Sequence, residues 1–106
     1  MASDTLERLE ATIRSRRLAS ADTSYTRQLL DSGPERCAKK FGEEAVETII
    51  AAVHQDATAL KAESADLLYH LLVLLESRDI KFADVLTVLD GRVGTSGLEE
   101  KAARRS

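Results

Sequence analysis

The chain has no tryptophan, only two phenylalanines and two tyrosines, a single proline and a single cysteine among its 106 residues. Strands draw on aromatic and β-branched side chains, so this scarcity speaks against a sheet. Alanine, leucine, glutamate, lysine and arginine are abundant instead, and these are good helix formers. The expected fold class is therefore all-α. With Cys37 alone, no intrachain disulfide can form, which suits a reducing compartment, and the residue reads as a small buried apolar group. No apolar run reaches the roughly 20 residues of a membrane span, and the opening MASDTLERLE lacks the basic start and apolar stretch of a secretory leader. These absences predict a cytoplasmic protein with no membrane partner. A formal charge of −3 removes any global electrostatic reason to expect nucleic acid, although Arg14, Arg16 and Arg17 form a local basic cluster. The length fits one domain spanning 1–106, near the size at which a second copy adds useful buried area.

An antiparallel bundle of about four to five helices is predicted from apolar periodicity and punctuation. Asp4 with Glu7 has the form of a capping box, and Leu6, Leu9, Ile13 and Leu18 follow at helical spacing, giving a helix near 4–19. A break at Ser20 to Thr23 precedes a short helix near 24–32, which Gly33-Pro34 ends. Pro34 suits the first turn of a long third helix reaching about Gln55, with Ala38, Phe41, Ala45, Ile49, Ala52 and Val53 as its apolar face and Gly42 as its weak point. Asp56 can cap a fourth helix running to about Arg78, its main buried face being Leu60, Leu67, Leu71, Leu74 and Leu75. The stretch LLYHLLVLLE is apolar almost all round, which places it centrally in a bundle or at a dimer interface. A shorter helix near 82–92 stops at Gly91 or Gly94, and the charged, glycine-bearing tail from about 94 is expected to be mobile unless a ligand orders it.

Charge clusters in KKFGEEAVETII, where Glu43, Glu44 and Glu47 fall within five residues. Glu44 and Glu47 are three apart, hence neighbours on one helical face, and they lie opposite Phe41, Ala45 and Ile49. Amphipathicity alone would make them a solvated face. Glu63 and Asp66 repeat the spacing on the fourth helix, with His70 continuing their stripe at the edge of the leucine face. Folding the two long helices into an antiparallel hairpin about residue 55 brings residues whose numbers sum to 110 to similar height, so Glu44 faces Asp66 and Glu47 faces Glu63. Four carboxylates at one level repel, and a raised pKa or a cation relieves them. An all-oxygen set suits Mg²⁺ or Mn²⁺ rather than zinc. Glu44, Glu47, Glu63 and Asp66 are thus candidate metal ligands; for Glu43 three roles stay open, binding outside the first coordination layer, bridging ions or merely facing water.

GEEAVE followed by ESADLLYHLLVLL resembles the phosphoribosyl-ATP pyrophosphohydrolase family, within the all-α, MazG-like nucleotide pyrophosphohydrolases. The likeness runs from SYTRQLL through SGPERCAKKFGEEAVE to RVGTSGLEEKA and is loosest over the first twenty residues. The resemblance implies a dimer-based helical bundle, a homodimer or dimer of dimers. It also implies Mg²⁺-dependent hydrolysis of the α–β phosphoanhydride of 1-(5-phosphoribosyl)-ATP to 1-(5-phosphoribosyl)-AMP and pyrophosphate, the second step of histidine biosynthesis.

Within that chemistry, Glu43 or Glu47 would accept the attacking water's proton. Lys39 and Lys40, one turn before the glutamates, are candidates for substrate phosphate, with Arg27 and Arg36 behind them and a solvated surface charge as the alternative for each lysine. His70 can act behind the ligands or simply bond a core neighbour, and Tyr69 reads as packing. GTSG at 94–97 has neither the lysine nor the preceding strand of a phosphate loop. Two other functions stay open: a house-cleaning pyrophosphohydrolase for other nucleoside triphosphates, and a non-catalytic helical dimerisation module whose acidic stripe is only a soluble face.

Overall fold

The computed structural model describes residues 4–93 together with Gly97, Lys101 and Arg104. The tail expected to move from about residue 94 lies almost wholly outside the described residues. Within them the chain is all-α, with five helices and no strand. They are α1 (Thr5–Ser15), α2 (Tyr25–Ser32), α3 (Pro34–His54), α4 (Ala57–Ser77) and α5 (Phe82–Asp90), with a single 3-10 turn at Arg16–Leu18 after α1.

Local chemistry sets most of the boundaries. The Ser24 hydroxyl accepts from the Arg27 N–H at 3.1 Å and starts α2. Gly33, at φ +92°, makes the sharp passage from α2 to α3 in a conformation that side chains disfavour, and Pro34 takes the first position of α3. Asp56 caps α4 by accepting from the Ala59 N–H at 2.9 Å. At the other end of α4, Ile80 N–H donates to Leu75 O and Asp79 N–H to Glu76 O, closing a Schellman motif with Asp79 in the left-handed region at φ +57°. The expected capping box at α1 does not form: Asp4 has helical backbone angles and its side chain makes no capping bond.

α3 and α4 pair as the antiparallel hairpin that dominates the molecule, α1 lies on α4, and α2 packs against both α3 and α4. Their meeting point is a small core of Ile13, Leu29, Cys37, Leu72 and Val73. Each of its larger aliphatic side chains contributes on the order of 2 kcal/mol by leaving water. Cys37 behaves as read, with its thiol donating to Leu29 O at 3.2 Å. Among the described residues α5 has no extensive contact with another helix, and it reaches the core through Phe82.

Both long helices are rotated from the expected orientation. Of the face foreseen for α3, Ala38, Ile49, Ala52 and Val53 are exposed and only Phe41 and Ala45 are half-buried. The stripe that meets α4 instead runs Cys37, Glu44, Thr48, Ala51, in which slim side chains at Thr48 and Ala51 admit a close neighbour while the branched Ile49 and Val53 stay outside. On α4 the foreseen leucines are half-buried, whereas His70, Leu72, Val73 and Glu76 are the buried residues.

Candidate metal centre

Rotation of α3 carries Glu44 into the seam with α4. Glu44, Glu63 and Asp66 each place one carboxylate oxygen within 4.8 Å of the others, at the height the hairpin register predicts. Glu47, the fourth expected ligand, is exposed and lies outside that group, yet its charge is close enough to raise the pKa values of both Glu44 and Glu63. Ionised carboxylates have no proton to share, so contacts among them become bonds only when one partner is protonated. Burial first, then Glu47, Asp66 and Glu63, raises the Glu44 pKa; burial first, then Glu47 and Asp66, raises that of Glu63. The Oε2 atoms of Glu44 and Glu63 are buried and find no hydrogen-bond partner among the described residues. Occluded acceptors without donors, on carboxylates that repel one another, are what a hard divalent cation satisfies, and the donor set fits one.

Around this cluster sits a ring of supporting groups. His70, 8% exposed at its side chain, places Nε2 3.9 Å from Glu44 Oε1. The edges of Tyr25 and Tyr69 meet its ring, with centroids 6.3 and 4.9 Å away. Tyr69 is itself fixed by a 2.5 Å hydrogen bond with Thr26 Oγ1. Burial and then Lys40 lower the His70 pKa, against the opposite pull of Asp66 and Glu43, which favours a neutral imidazole.

The family model for phosphoribosyl-ATP pyrophosphohydrolase matches residues 6–92. The chain belongs to that family. It is 58% identical over 99 residues to the phosphoribosyl-ATP pyrophosphatase of Cereibacter sphaeroides, an alignment covering 93% of this chain and 96% of the relative. It is 54% identical over 105 residues to phosphoribosyl-ATP pyrophosphatase 1 of Rhodopseudomonas palustris, covering 99% and 98%. Bradyrhizobium diazoefficiens has a phosphoribosyl-ATP pyrophosphatase 1 that is 58% identical over 101 residues, covering 95% of both chains.

The basic residues that a phosphoribosyl-ATP pyrophosphohydrolase could use are unevenly placed. Lys40 stands beside the cluster, its Nζ 3.1 Å from Glu43 Oε2, and that pairing raises the Lys40 pKa and lowers the Glu43 pKa. Lys39 is exposed, with Glu43 within its electrostatic reach. Arg36 is exposed and acts on Glu43 from a greater distance along α3. Arg27 is elsewhere: it is bonded to Asp31 at 2.9 Å and to Ala19 O at 2.7 Å, in a concavity shared with Arg17, Leu30, Ser77 and Asp79. The structure thereby removes Arg27 from the residues near the carboxylates.

Three residues near or below the site escaped the sequence reading. Thr48 bonds across the α3–α4 seam, and Tyr25 shields His70. Glu76, 5% exposed, is the third: Arg17 Nε reaches its Oε1 at 2.9 Å and Arg14 Nε at 3.4 Å, fastening α1 and the 3-10 turn to the end of α4. The basic cluster Arg14 and Arg17 could have pointed to a buried acid; nothing marks out which of many glutamates it is.

Proposed function

We propose that this chain hydrolyses the α–β phosphoanhydride of 1-(5-phosphoribosyl)-ATP, releasing pyrophosphate and leaving 1-(5-phosphoribosyl)-AMP, as a cytoplasmic enzyme of histidine biosynthesis. The observation that carries the reading is the Glu44, Glu63 and Asp66 cluster with two buried, donorless oxygens, in a chain of this family. These three side chains, joined by Glu47 from the exposed side, would hold Mg²⁺ or Mn²⁺. Such an ion, when bound, screens the triphosphate and stabilises the leaving pyrophosphate.

The remaining work falls to protein groups. Water adds to a phosphorus of the anhydride, the bridging P–O bond breaks, and the water's proton passes to a carboxylate. Glu43 or Glu47 would take that proton, with Glu43 already paired to Lys40 at 3.1 Å. Lys39 and Lys40 meet the substrate's phosphates from the preceding turn. His70, kept neutral and wedged between two tyrosines, supports the orientation of Glu44.

The working molecule in this reading is a homodimer, with the whole chain acting as one domain. Val46, Ile49, Ile50 and Val53 recur at three- and four-residue steps along α3 and are 44 to 68% exposed. Leu86, Val88 and Leu89 add apolar surface on the loosely held α5. The Cα radius of gyration is 16.0 Å, against about 13 Å for a compact chain of this length. A second copy that supplies the matching helix face buries this stripe symmetrically.

The test is pyrophosphate release from phosphoribosyl-ATP, with and without Mg²⁺, by wild type and Glu47→Gln, beside the release from ordinary nucleoside triphosphates. Metal-dependent release that is specific to phosphoribosyl-ATP and lost in the variant is the expected result. Equal turnover of ordinary triphosphates would favour a house-cleaning enzyme, and no release from folded wild type would leave a dimerisation module.

A further inference from the structure

We propose that Thr48 is a positioning residue, which sets the separation of the two helices that carry the carboxylates. The inference rests on the metal-binding reading above. Thr48 Oγ1 lies 2.8 Å from Glu44 O and 3.2 Å from Glu63 O. The first contact is the back-bond to the preceding turn that threonine commonly makes in helices. The second crosses the seam to the main chain of α4. One hydroxyl proton is shared between two carbonyls in a three-centred bond.

The identity of those carbonyls is what matters. They belong to Glu44 and Glu63, the same two residues whose Oε2 atoms are buried without a donor. A single uncharged side chain therefore ties together the backbones of one ligand-bearing residue from each helix. Without a cation, the carboxylates at this level push α3 and α4 apart. The Thr48 bridge opposes that push on the main chain, where it does not consume a carboxylate lone pair. Ala51, one turn further along and fully buried, leaves α4 room to approach. A cation with short, near-fixed oxygen distances is sensitive to the spacing of its ligands, so the bridge pre-sets the cage before the ion arrives.

The experiment compares wild type with Thr48→Val, Thr48→Ala and Thr48→Ser in the full chain. Mn²⁺ affinity is measured by calorimetric titration without substrate, alongside the Mg²⁺ concentration that half-activates pyrophosphate release. Valine keeps the branched shape and loses the hydroxyl; serine keeps the hydroxyl. The expected result is Mn²⁺ binding weakened about tenfold in the valine and alanine variants. Half-activation should shift by the same factor, kcat should recover at saturating Mg²⁺, and serine should match wild type. Unchanged affinity in both valine and alanine variants would overturn the proposal, as would a valine variant that binds like wild type beside a serine variant as weak as alanine, since packing of the methyl would then be the cause. If Thr48→Val does not fold, the serine–alanine pair decides on the hydroxyl alone. A wild type that binds no Mn²⁺ overturns the cage reading itself, and does so before any substitution is compared.

Discussion

The two faces of α3 invert the usual arrangement of a surface helix. Toward α4 it presents Glu44, with its side chain only 14% exposed, beside Thr48 and Ala51; toward solvent it presents Val46, Ile49, Ile50 and Val53. Burial of acids that lack donors is unfavourable, and so is exposure of a branched apolar stripe. Each face is therefore incomplete in the isolated chain and asks for something different. The inner face calls for positive charge at one point, the outer face for an extended apolar surface. A cation and a second copy of the chain are the answers proposed above, and the two demands can be tested apart.

The largest effect should come from the inner face. Glu63→Gln removes one of the three clustered carboxylates and is expected to lower kcat/KM for phosphoribosyl-ATP at least about a hundredfold. A steady-state assay at fixed Mg²⁺ measures it, and retention of more than a tenth of the activity would break the assignment of Glu63. On the outer face, Ile49→Glu puts an acid into the centre of the apolar stripe without touching the cluster. The dissociation constant of the proposed homodimer, read by sedimentation equilibrium, should rise about a hundredfold, while Mn²⁺ affinity per chain holds. An unchanged dissociation constant would place the interface elsewhere.

A further buried acid, Glu76, sharpens the inner half of the comparison. Glu76 is as occluded as Glu44, yet Arg14 and Arg17 both reach it. Neutralising a satisfied acid should destabilise, and neutralising a donorless one should not. Glu76→Gln is thus expected to lose about 2 kcal/mol of folding stability, measured by urea unfolding, whereas metal-free Glu63→Gln should be more stable than wild type. The same sign for both variants would mean that repulsion at the cluster is already relieved by other means.

Local chemistry was legible in the sequence and helix rotation was not. Gly33-Pro34 and Asp56 act through a residue or two on either side, and both boundaries stand where that chemistry puts them. Opposition of Glu44 to Asp66 followed from the short connection alone, because a tight antiparallel hairpin leaves little freedom of height. Periodicity, however, tells only which residues share a face, not which neighbour that face meets. α3 carries two usable stripes; apolar spacing favours the one with Ile49 and Val53, whereas the hairpin buries the other. Asp4 shows the complementary failure: a cap signature of the right spacing is void when the residue adopts helical angles. Thr48 and Glu76 were hard to single out because the contacts that distinguish them reach partners about 15 and about 60 residues away.

The smallest expected effect is a pH dependence that reports on the same inner face. Glu44 and Glu63 have folded-state pKa values raised above their ordinary ones, so the folded chain holds protons that the unfolded chain has released. Their contribution to stability is complete below about pH 4.3, the unfolded carboxylate value, and is lost as pH rises through the raised folded values. Through these two carboxylates, metal-free protein should therefore gain stability as pH falls from neutrality into that window. His70 works the other way: its lowered pKa means that acidification below about 6.5 favours the unfolded, protonated imidazole. The contribution of the Glu43 carboxylate, its pKa lowered by the Lys40 pair, is also lost as pH falls through its folded value, so the part due to Glu44 and Glu63 is read by thermal unfolding at a series of pH values as a difference between wild type and variant. Glu44→Gln should flatten the carboxylate part, and saturating Mg²⁺ should reverse it, because an ion bound to the ionised carboxylates stabilises the fold more as pH rises. A stability profile indifferent to Mg²⁺ would mean that the inner face of α3 carries its acids without needing a cation, and the inversion between the two faces would then rest on the dimer alone.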